Sequence, residues 1–233
     1  MAECMGDAVP ENRWETFAQE DAEWYIYTAP DVDFTTPEGR SLFERSGRED
    51  AAQILAEAGS HLTGHGRALE IGCGVGRLTV PVSEQFSEVL AVDIAPTMLR
   101  KLAENTQRAG RDNVRGFLSH EPWDAQGPVD LVYSLIVFQH IADWTAIVEY
   151  FSRIGACLAP GGVCWVQFDT RPVTLPYLAV GRLPDAVLPR PWRKGIRRIR
   201  RSRDRLVALF ESCGLRVAAE LRPGERHAFL LTR

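Results

Sequence analysis

The sequence predicts an α/β fold in which helices cover both faces of a doubly wound, mostly parallel sheet. Short apolar runs alternate with longer amphipathic stretches along most of the 233 residues, as expected when strands alternate with covering helices. In addition, Gly72, Gly74 and Gly76 follow the first apolar run, where a strand-to-helix turn would meet a ligand. We expect a single domain, residues 1–233, because a chain of this length can bury one full core.

The elements follow in order. The first strand is "RALEIG", and the stretch "VGRLTVPVSEQF" after it has apolar residues at helical spacing. The second strand, "EVLAVDI", precedes the helix "APTMLRKLAENTQRAG", which has Pro96 in its first turn and Gly110 at its end. The next two strands are "NVRGFL" and "VDLVYSLIVF". The helix "WTAIVEYFSRIGACL" then leads through "APGG" to a fifth strand, "VCWVQF".

Three segments surround this core of residues 66–168. The sequence predicts a helix and an antiparallel hairpin over residues 203–233. The hairpin is expected because the strands "LRVAAEL" and "HAFLLT" are joined by the short connection "RPGE". The sheet therefore has seven strands. Residues 1–60 are helical and aromatic, and we expect them to form a cap across the carboxyl edge of the sheet. Residues 170–192 are rich in proline and predict a lid insert.

Charge and cysteine content narrow the protein class. The net charge of -4 favours neither a nucleic-acid binder nor an unusually acidic surface. Five cysteines lie far apart without a CxxC pair, which is typical of a reducing compartment and not of a disulfide framework or zinc site. The first fifteen residues contain acids where a signal peptide has its apolar core, and no apolar run approaches a membrane span of about 18 residues. We expect a cytoplasmic protein that binds no membrane.

The glycine spacing separates two kinds of adenosine cofactor. The loop has the pattern GxGxG, and Arg77 stands where the third glycine of a dinucleotide fingerprint would fall. Glu70, two residues before the first glycine, suits a cationic portion of a ligand better than a pyrophosphate. Asp93, at the end of the second strand, can accept hydrogen bonds from both hydroxyls of a ribose. A dinucleotide-dependent oxidoreductase is therefore disfavoured.

Four ordered motifs resemble those of the class I S-adenosylmethionine-dependent methyltransferases, which have a Rossmann-like sheet. They are "LEIGCGVGRLT", "AVDIAPTML", "VDLVYSLIVFQHI" and "LAPGGVCWVQF". The stretches "AEWYIYT" and "ERSGRED" resemble the N-terminal cap of the small-molecule and natural-product branch. One departure lies after the third strand, where the family often has an acid for the adenine amino group and this chain has Ser119 and His120.

The resemblance implies S-adenosyl-L-methionine as cofactor and assigns roles position by position. Glu70 would orient the loop and the methionine amino group, Asp93 would hold the ribose, and Ile94 and Met98 would flank the adenine. Ser134 would lie beside the methionine chain. Apart from the resemblance, Trp24 and Tyr25 are adjacent on a predicted helix and so face different directions, and we favour Tyr25 as the one that points at the ligand, because its hydroxyl could reach the cofactor carboxylate or the acceptor. The full set of expected cofactor contacts is Tyr25, Glu70, Gly72, Cys73, Gly74, Asp93, Ile94, Met98, Ser119, His120 and Ser134.

Methyl transfer from a sulfonium needs mainly an oriented nucleophile, with a base only for a protonated acceptor. His140 is the candidate base, with a pKa expected near the working pH. The fourth strand ends in "YS" without an acid, so we expect no metal, and it lacks the (D/N)PP(Y/F) and Pro-Cys motifs of DNA methyltransferases. The candidate substrate contacts are Trp24, Gln139, Arg171, Arg193 and Arg197.

The run "RPWRKGIRRIRRSRDR", residues 190–205, has nine basic residues and one acid. It predicts either an electropositive wall that recruits an anionic substrate or a solvated helix face. We therefore expect methyl transfer to an oxygen or nitrogen of a small or peptide-like metabolite, which can be anionic. The alternatives are an RNA methyltransferase that uses this run and a non-catalytic, cofactor-binding interaction module. Nucleic acid is disfavoured because only Trp192 interleaves the basic residues. The oligomeric state stays open.

Overall fold

A computed structural model of the chain describes residues 12–27, 32–189, 192, 193 and 195–233. Those parts of the predicted cap, lid and basic run that fall on residues 1–11, 28–31, 190, 191 and 194 lie outside the described residues. The strands are β1 (Arg67–Ile71), β2 (Glu88–Asp93), β3 (Val114–Leu118), β4 (Val129–Ser134), β5 (Leu158–Phe168), β6 (Arg216–Leu221) and β7 (His227–Thr232). The helices are α1 (Asn12–Ile26), α2 (Pro37–Ala58), α3 (Thr79–Val82), α4 (Pro96–Arg108), α5 (Trp144–Cys157), α6 (Leu175–Gly181) and α7 (Arg203–Ser212).

The seven strands form one sheet in the order β3-β2-β1-β4-β5-β7-β6. The pairs from β3 through β5 are parallel, whereas β7 is antiparallel to both of its neighbours, β5 and β6. The predicted fold class and its C-terminal hairpin are confirmed, and β6 is the edge strand. Because the strand order reverses between β1 and β4, the carboxyl ends of β1, β2, β4 and β5 surround one crevice.

Apolar layers cover both faces of the sheet. On one face a continuous group of aromatic rings, which includes Phe138, Phe151, Phe168, Phe210 and Phe229, packs among α5, α7 and the central strands. On the other face α2, which we expected to lie across the carboxyl edge, packs its buried side chains against the sheet. Both helices of the predicted cap reach the glycine loop: Ile26 at the end of α1 lies beside Gly74, and Gly47 of α2 lies against the backbone of Arg77, which follows Gly76.

The predicted helix after β1 is much shorter than its apolar spacing suggested. Only Thr79–Val82 are helical, and turns precede and follow them. The prediction of a long helix over "VGRLTVPVSEQF" was therefore wrong. Gly76 has φ of +92°, outside the helical range, and Pro81 lacks the N–H that would continue a helix. As a result, the loop does not present a long helix N-terminus to a ligand.

The lid insert contains α6 and a 3₁₀ turn over Asp185–Val187. It is joined to α1 by an ion pair in which Arg13 Nη2 lies 3.0 Å from Asp185 Oδ2. The large apolar side chains that are exposed on the described part of the chain all belong to this insert; they are Val173, Leu175, Leu183, Val187 and Trp192. Among the described residues, no helix is both long and apolar enough to span a membrane.

Candidate cofactor and acceptor site

A cavity of about 1340 Å³ opens at the carboxyl edge of the sheet. Its walls come from the glycine loop after β1, the segments after β2 and β4, the end of α1, one side of α2, and the lid with the chain that follows it. The sequence motifs are thus brought to one place by the parallel strand order. No group of three or more metal-binding side chains occurs in the described part of the chain.

The glycine loop is held in shape by its own backbone. Gly72 and Gly74 have φ of +76° and +53°, where residues with a Cβ are strained. A Cβ on Gly72 would lie 2.3 Å from Val137 Cγ2, and one on Gly74 would lie 2.5 Å from Ile26 Cδ1. The amides of Gly72 and Cys73 both donate to the Val92 carbonyl, which fastens the loop to the end of β2.

Asp93 lies at the end of β2 beside the glycine loop, as predicted. Its Oδ2 accepts a hydrogen bond from Gly74 N at 2.8 Å, and its Oδ1 accepts one from Ala95 N at 2.9 Å. Burial raises the pKa of this carboxyl, while the amide hydrogen bonds oppose the shift. Because each carboxylate oxygen can accept more than one hydrogen bond, Asp93 retains acceptor capacity toward the cavity.

Glu70 is buried under the loop, with 3% of its surface exposed. Its Oε2 accepts hydrogen bonds from Thr79 Oγ1 at 2.6 Å and from the Tyr133 hydroxyl at 2.9 Å. Burial raises the pKa of Glu70 to about 8, against the effect of these two donors. The side chain is therefore largely protonated at neutral pH, and it also lines the cavity.

The side chains predicted around the adenine also line the cavity. Ile94 follows β2, Met98 is buried in the first turns of α4, and Ser119 and His120 follow β3. The Ser119 carbonyl accepts hydrogen bonds from Trp123 Nε1 and Arg153 Nη1, so the backbone here is fixed. Cys73 lines the cavity too, and burial raises the pKa of its thiol well above the usual value, which argues against a reactive role.

Two predicted contacts lie elsewhere. The Ser134 hydroxyl donates to the Ile71 carbonyl at 2.9 Å and is buried between β4 and β1, outside the cavity wall. Gln139 is fully buried and also lies outside the wall, because the short 3₁₀ turn Phe138–His140 directs it into the protein. The structure therefore gives Ser134 and Gln139 no place in the cavity wall, and their expected contacts with the methionine chain and a substrate stay predictions.

His140 lines the cavity directly after β4, with its ring 5.7 Å from that of Trp14. Its Nδ1 is buried and has no hydrogen-bond partner. Burial, reinforced by the nearby charge of Arg198, lowers the pKa of His140 to about 4. The expectation of a pKa near the working pH was wrong, because the imidazole is withdrawn from water. It is neutral at physiological pH.

Adjacent aromatic residues of α1 have separate roles, as their positions on the helix required. Tyr25 lines the cavity and stacks on Phe17, but its hydroxyl donates to Glu20 Oε2 at 2.8 Å. Trp24 instead packs in an apolar cluster with α4 and lies outside the cavity wall. Trp24 therefore has no place in the cavity wall, and its contact with a substrate stays a prediction, while the Tyr25 hydroxyl is engaged within α1.

Of the three arginines predicted to contact a substrate, two line the cavity and one lies outside its wall. Arg171 lines the cavity but is paired with Asp169 at 2.6 Å and with Glu225 at 3.0 Å, so acids of the chain already neutralise it. Arg193 lies outside the wall and donates to the Leu188 carbonyl at 3.1 Å. Arg197 lies in the wall, as predicted. Residues 195–202 form no helix, whereas residues 203–205 are exposed in the first turn of α7, so the solvated helix face considered above applies only to the end of the run.

Several cavity residues were missed by the sequence analysis. Ile26 and Val137 cover the glycine loop, Gln167 lies in the wall on β5, and Ile136 has φ of +59°, a rare conformation for a β-branched residue. An apolar residue next to a strand end gives no sequence signal for such a contact. Gln167 stands alone as a polar residue in the apolar fifth strand, which was a signal that could have been used.

Comparison with known proteins shows what the cofactor-binding core is similar to. Residues 69–164 match the methyltransferase domain family. Ubiquinone biosynthesis O-methyltransferase of Azorhizobium caulinodans is 31% identical over 115 residues, which cover 49% of this chain and 44% of that protein. Trans-aconitate 2-methyltransferase of Rhizobium rhizogenes is 32% identical over 127 residues, which cover 54% and 46%. The chain spans less than half the length of these curated relatives.

A solved structure extends the comparison to the whole fold. Magnesium protoporphyrin IX methyltransferase from Synechocystis PCC 6803, crystallised with bound SAH, aligns over 95% of each chain with a TM-score of 0.62 and 19% sequence identity. At this identity the likeness concerns the fold alone. Together with the family match, it confirms the resemblance that the four sequence motifs carry.

Proposed function

We propose that this chain, whose residues 69–164 match the methyltransferase domain family, is a class I S-adenosylmethionine-dependent methyltransferase that transfers a methyl group to an oxygen or nitrogen of a small-molecule or peptide-like metabolite. The observation that carries the proposal is one cavity lined both by Asp93 and the glycine loop, which we call the loop end, and by His140 and the lid, which we call the acceptor end. When bound, S-adenosyl-L-methionine supplies a methyl group already activated by its sulfonium.

The residues at the loop end fit such a cofactor. Asp93 would accept hydrogen bonds from the ribose hydroxyls through the lone pairs that Gly74 N and Ala95 N leave available. Met98 and Ile94 provide apolar surface for the adenine, with Ser119 and His120 beside them. Glu70 places a titratable carboxyl under the loop, where a cationic ligand portion favours its ionised form. Asp93 and Glu70 thus select for positive charge and against a pyrophosphate.

The acceptor end determines what happens to the proton. The acceptor atom attacks the methyl carbon as the carbon–sulfur bond breaks, and the bonding electrons remain on sulfur. His140 is the proposed group for an acceptor that must lose a proton, since its imidazole is neutral and Nδ1 is unpartnered. With a pKa of about 4 it is a weak base, so it suits only an acidic acceptor. An acceptor that is already ionised needs no base.

Small metabolites fit this cavity better than RNA does. Several arginines of the basic run are used internally: Arg201 Nη2 donates to the Ile141 carbonyl at 2.6 Å, and Arg203 pairs with Glu220. These bonds leave fewer charges for a phosphate backbone. The names of the curated relatives cited above include a ubiquinone pathway and trans-aconitate, both of which involve small molecules. We propose a cytoplasmic location and specificity set by α1 and the lid.

Calorimetry tests the cofactor first. S-adenosylmethionine and S-adenosylhomocysteine should bind to the full chain, and NAD and NADP should not. Turnover is then measured with radiolabelled S-adenosylmethionine against metabolite extracts and, separately, against total RNA. Label transferred to RNA alone would contradict the small-molecule proposal. Cofactor binding without turnover on any pool would favour a non-catalytic interaction module. Absence of cofactor binding would refute the proposed function.

A further inference from the structure

We propose that Arg197, Arg200 and Arg226 form an anion-binding subsite that holds a carboxylate or phosphate group of the acceptor. The three side chains line the cavity, and Arg197 and Arg200 follow the lid, which belongs to the acceptor end. The inference rests on the proposed function, because that function makes this end the place of the acceptor. It assigns the substrate class: a small acid with an anionic group separate from the atom that is methylated.

The segment that carries Arg197 and Arg200 is fixed across the carboxyl ends of β4 and β5, whereas Arg226 lies in the β6–β7 connection. Ile199 N donates to the Gln139 carbonyl at 2.7 Å, just after β4, and Arg201 N donates to the Asp169 carbonyl at 2.9 Å, just after β5. Asp169 and Arg200 also form an isolated parallel bridge. The backbone on either side of Arg200 therefore behaves as an extra strand over the sheet edge. Arginines on such a rigid support can present their charges at set positions.

A lid residue orders two of the guanidinium groups. Tyr177 on α6 donates its hydroxyl hydrogen to the Arg198 carbonyl at 3.1 Å and accepts a hydrogen bond from Arg200 N at 3.3 Å. Its ring lies 4.4 Å from Arg200 Cζ and 5.2 Å from Arg197 Cζ. Both distances fall within the range of cation–π contact. The lid and the arginines thus form one unit at the acceptor end.

These charges lack acidic partners, in contrast with their neighbours. Arg171 and Arg198 share Glu225, and Arg171 also pairs with Asp169. Over the described residues, no carboxylate lies within ion-pair distance of Arg197, Arg200 or Arg226. The Arg200 guanidinium has one hydrogen bond, to the Pro172 carbonyl at 2.7 Å, and its buried Nε has none. Clustered positive charge without counter-charge in a cavity attracts an anion.

A buried amide supplies an independent sign of a ligand. Gln167, on β5 two residues before Asp169, lines the cavity with only 2% of its surface exposed. Its Oε1 is buried and has no hydrogen-bond partner. Because an unsatisfied buried polar atom destabilises the protein, a ligand that donates a hydrogen bond to this oxygen would recover that loss. A hydroxyl or protonated acid group next to the bound anion would meet the requirement.

The test uses citrate and inorganic phosphate as probes, titrated by calorimetry into the full chain with and without saturating S-adenosylhomocysteine, at fixed ionic strength. We expect at least one probe to bind, and the double variant Arg197→Gln/Arg200→Gln to weaken it about tenfold or more, since hydrogen bonds to charged groups are lost. The matched control is Arg108→Gln/Arg216→Gln, which removes two exposed charges far from the cavity and should leave the affinity unchanged. Preference between the two probes distinguishes a carboxylate from a phosphate subsite.

Separate outcomes keep the two proposals distinct. Arg197→Lys/Arg200→Lys retains the charge and should bind the probes better than the glutamine variant, with S-adenosylhomocysteine affinity and melting temperature as controls for folding. If neither probe binds the unaltered chain, or if the glutamine variant binds them equally well, the subsite is refuted while the methyltransferase function stands. If S-adenosylhomocysteine does not bind, the proposed function fails, whatever the probes show.

Discussion

Replacing Glu70 by Gln is expected to stabilise the folded chain increasingly as the pH rises. Burial raises the pKa of Glu70 to about 8, whereas an unfolded Glu has a pKa of about 4.3. The folded chain therefore keeps a proton that the unfolded chain releases. The associated stability is complete below about pH 4 and is lost as the pH rises toward 8. Gln is uncharged throughout, and its amide oxygen can accept the hydrogen bonds from Thr79 and Tyr133.

The magnitude follows from the pKa difference. For each unit by which the pH rises between the two pKa values, the free energy of unfolding of the native chain falls by about 1.4 kcal/mol. Between about pH 5 and pH 8, the free energy of unfolding of the Glu70→Gln variant should therefore rise by up to about 4 kcal/mol relative to that of the native chain. This is an upper bound, because water that enters the cavity solvates the carboxylate and reduces the difference.

Urea unfolding at the two pH values measures this gain. The matched control is Glu88→Gln, at a carboxylate whose pKa is lowered because hydrogen bonds and charges from Arg67 and Arg115 outweigh its burial. A lowered pKa contributes stability above the unfolded value, so Glu88→Gln should destabilise the chain by a similar amount at both pH values. A constant difference between Glu70→Gln and the native chain from pH 5 to 8 would refute the raised pKa.

Three further outcomes are expected. Asp93→Ala should weaken S-adenosylhomocysteine binding by about 1.5–3 kcal/mol in calorimetry, and equal affinity would contradict the ribose assignment. Because burial lowers the pKa of His140 to about 4, NMR should show no titration of its ring between about pH 6 and 8, and a midpoint in that range would show that the ring is solvated. Gly74→Ala should lower the urea midpoint more than Gly110→Ala does, since both sites have positive φ but only the Cβ at position 74 would meet Ile26, at 2.5 Å; equal losses would mean that Ile26 moves aside freely.

The strands and the edge at which they meet were predictable from sequence for a physical reason. A strand buried on both faces must be a continuous apolar run, and its parallel neighbours must end at the same edge. Asp93 and the glycine loop stand directly after such runs, so their positions followed from the fold alone. The helix α3 was not predictable in this way, because apolar spacing carries no information on the φ of Gly76.

Charge pairing was the feature that the sequence could not supply. Nine basic residues in sixteen gave the sign of the local charge but not which of them meet an acid. Arg171 and Arg198 share Glu225, a residue of the β6–β7 connection that lies 54 and 27 positions away. Only tertiary structure brings these groups together. It separates the neutralised arginines from Arg197 and Arg200, which retain their charge toward the cavity.

The glycine loop joins the two ends of the cavity through contacts that the motif does not reveal. A bare backbone at position 74 admits Ile26 from α1, and at position 72 it admits Val137 from the segment that carries His140. The same glycines that let a cofactor approach therefore also draw the cap and the segment after β4 onto the loop. A side chain at either position would separate these walls from the cofactor end. The glycines at positions 72 and 74 are thus needed both for the approach of a ligand and for the packing of the two walls against the loop. Substitutions in the walls can therefore change which acceptor fits while the loop stays the same.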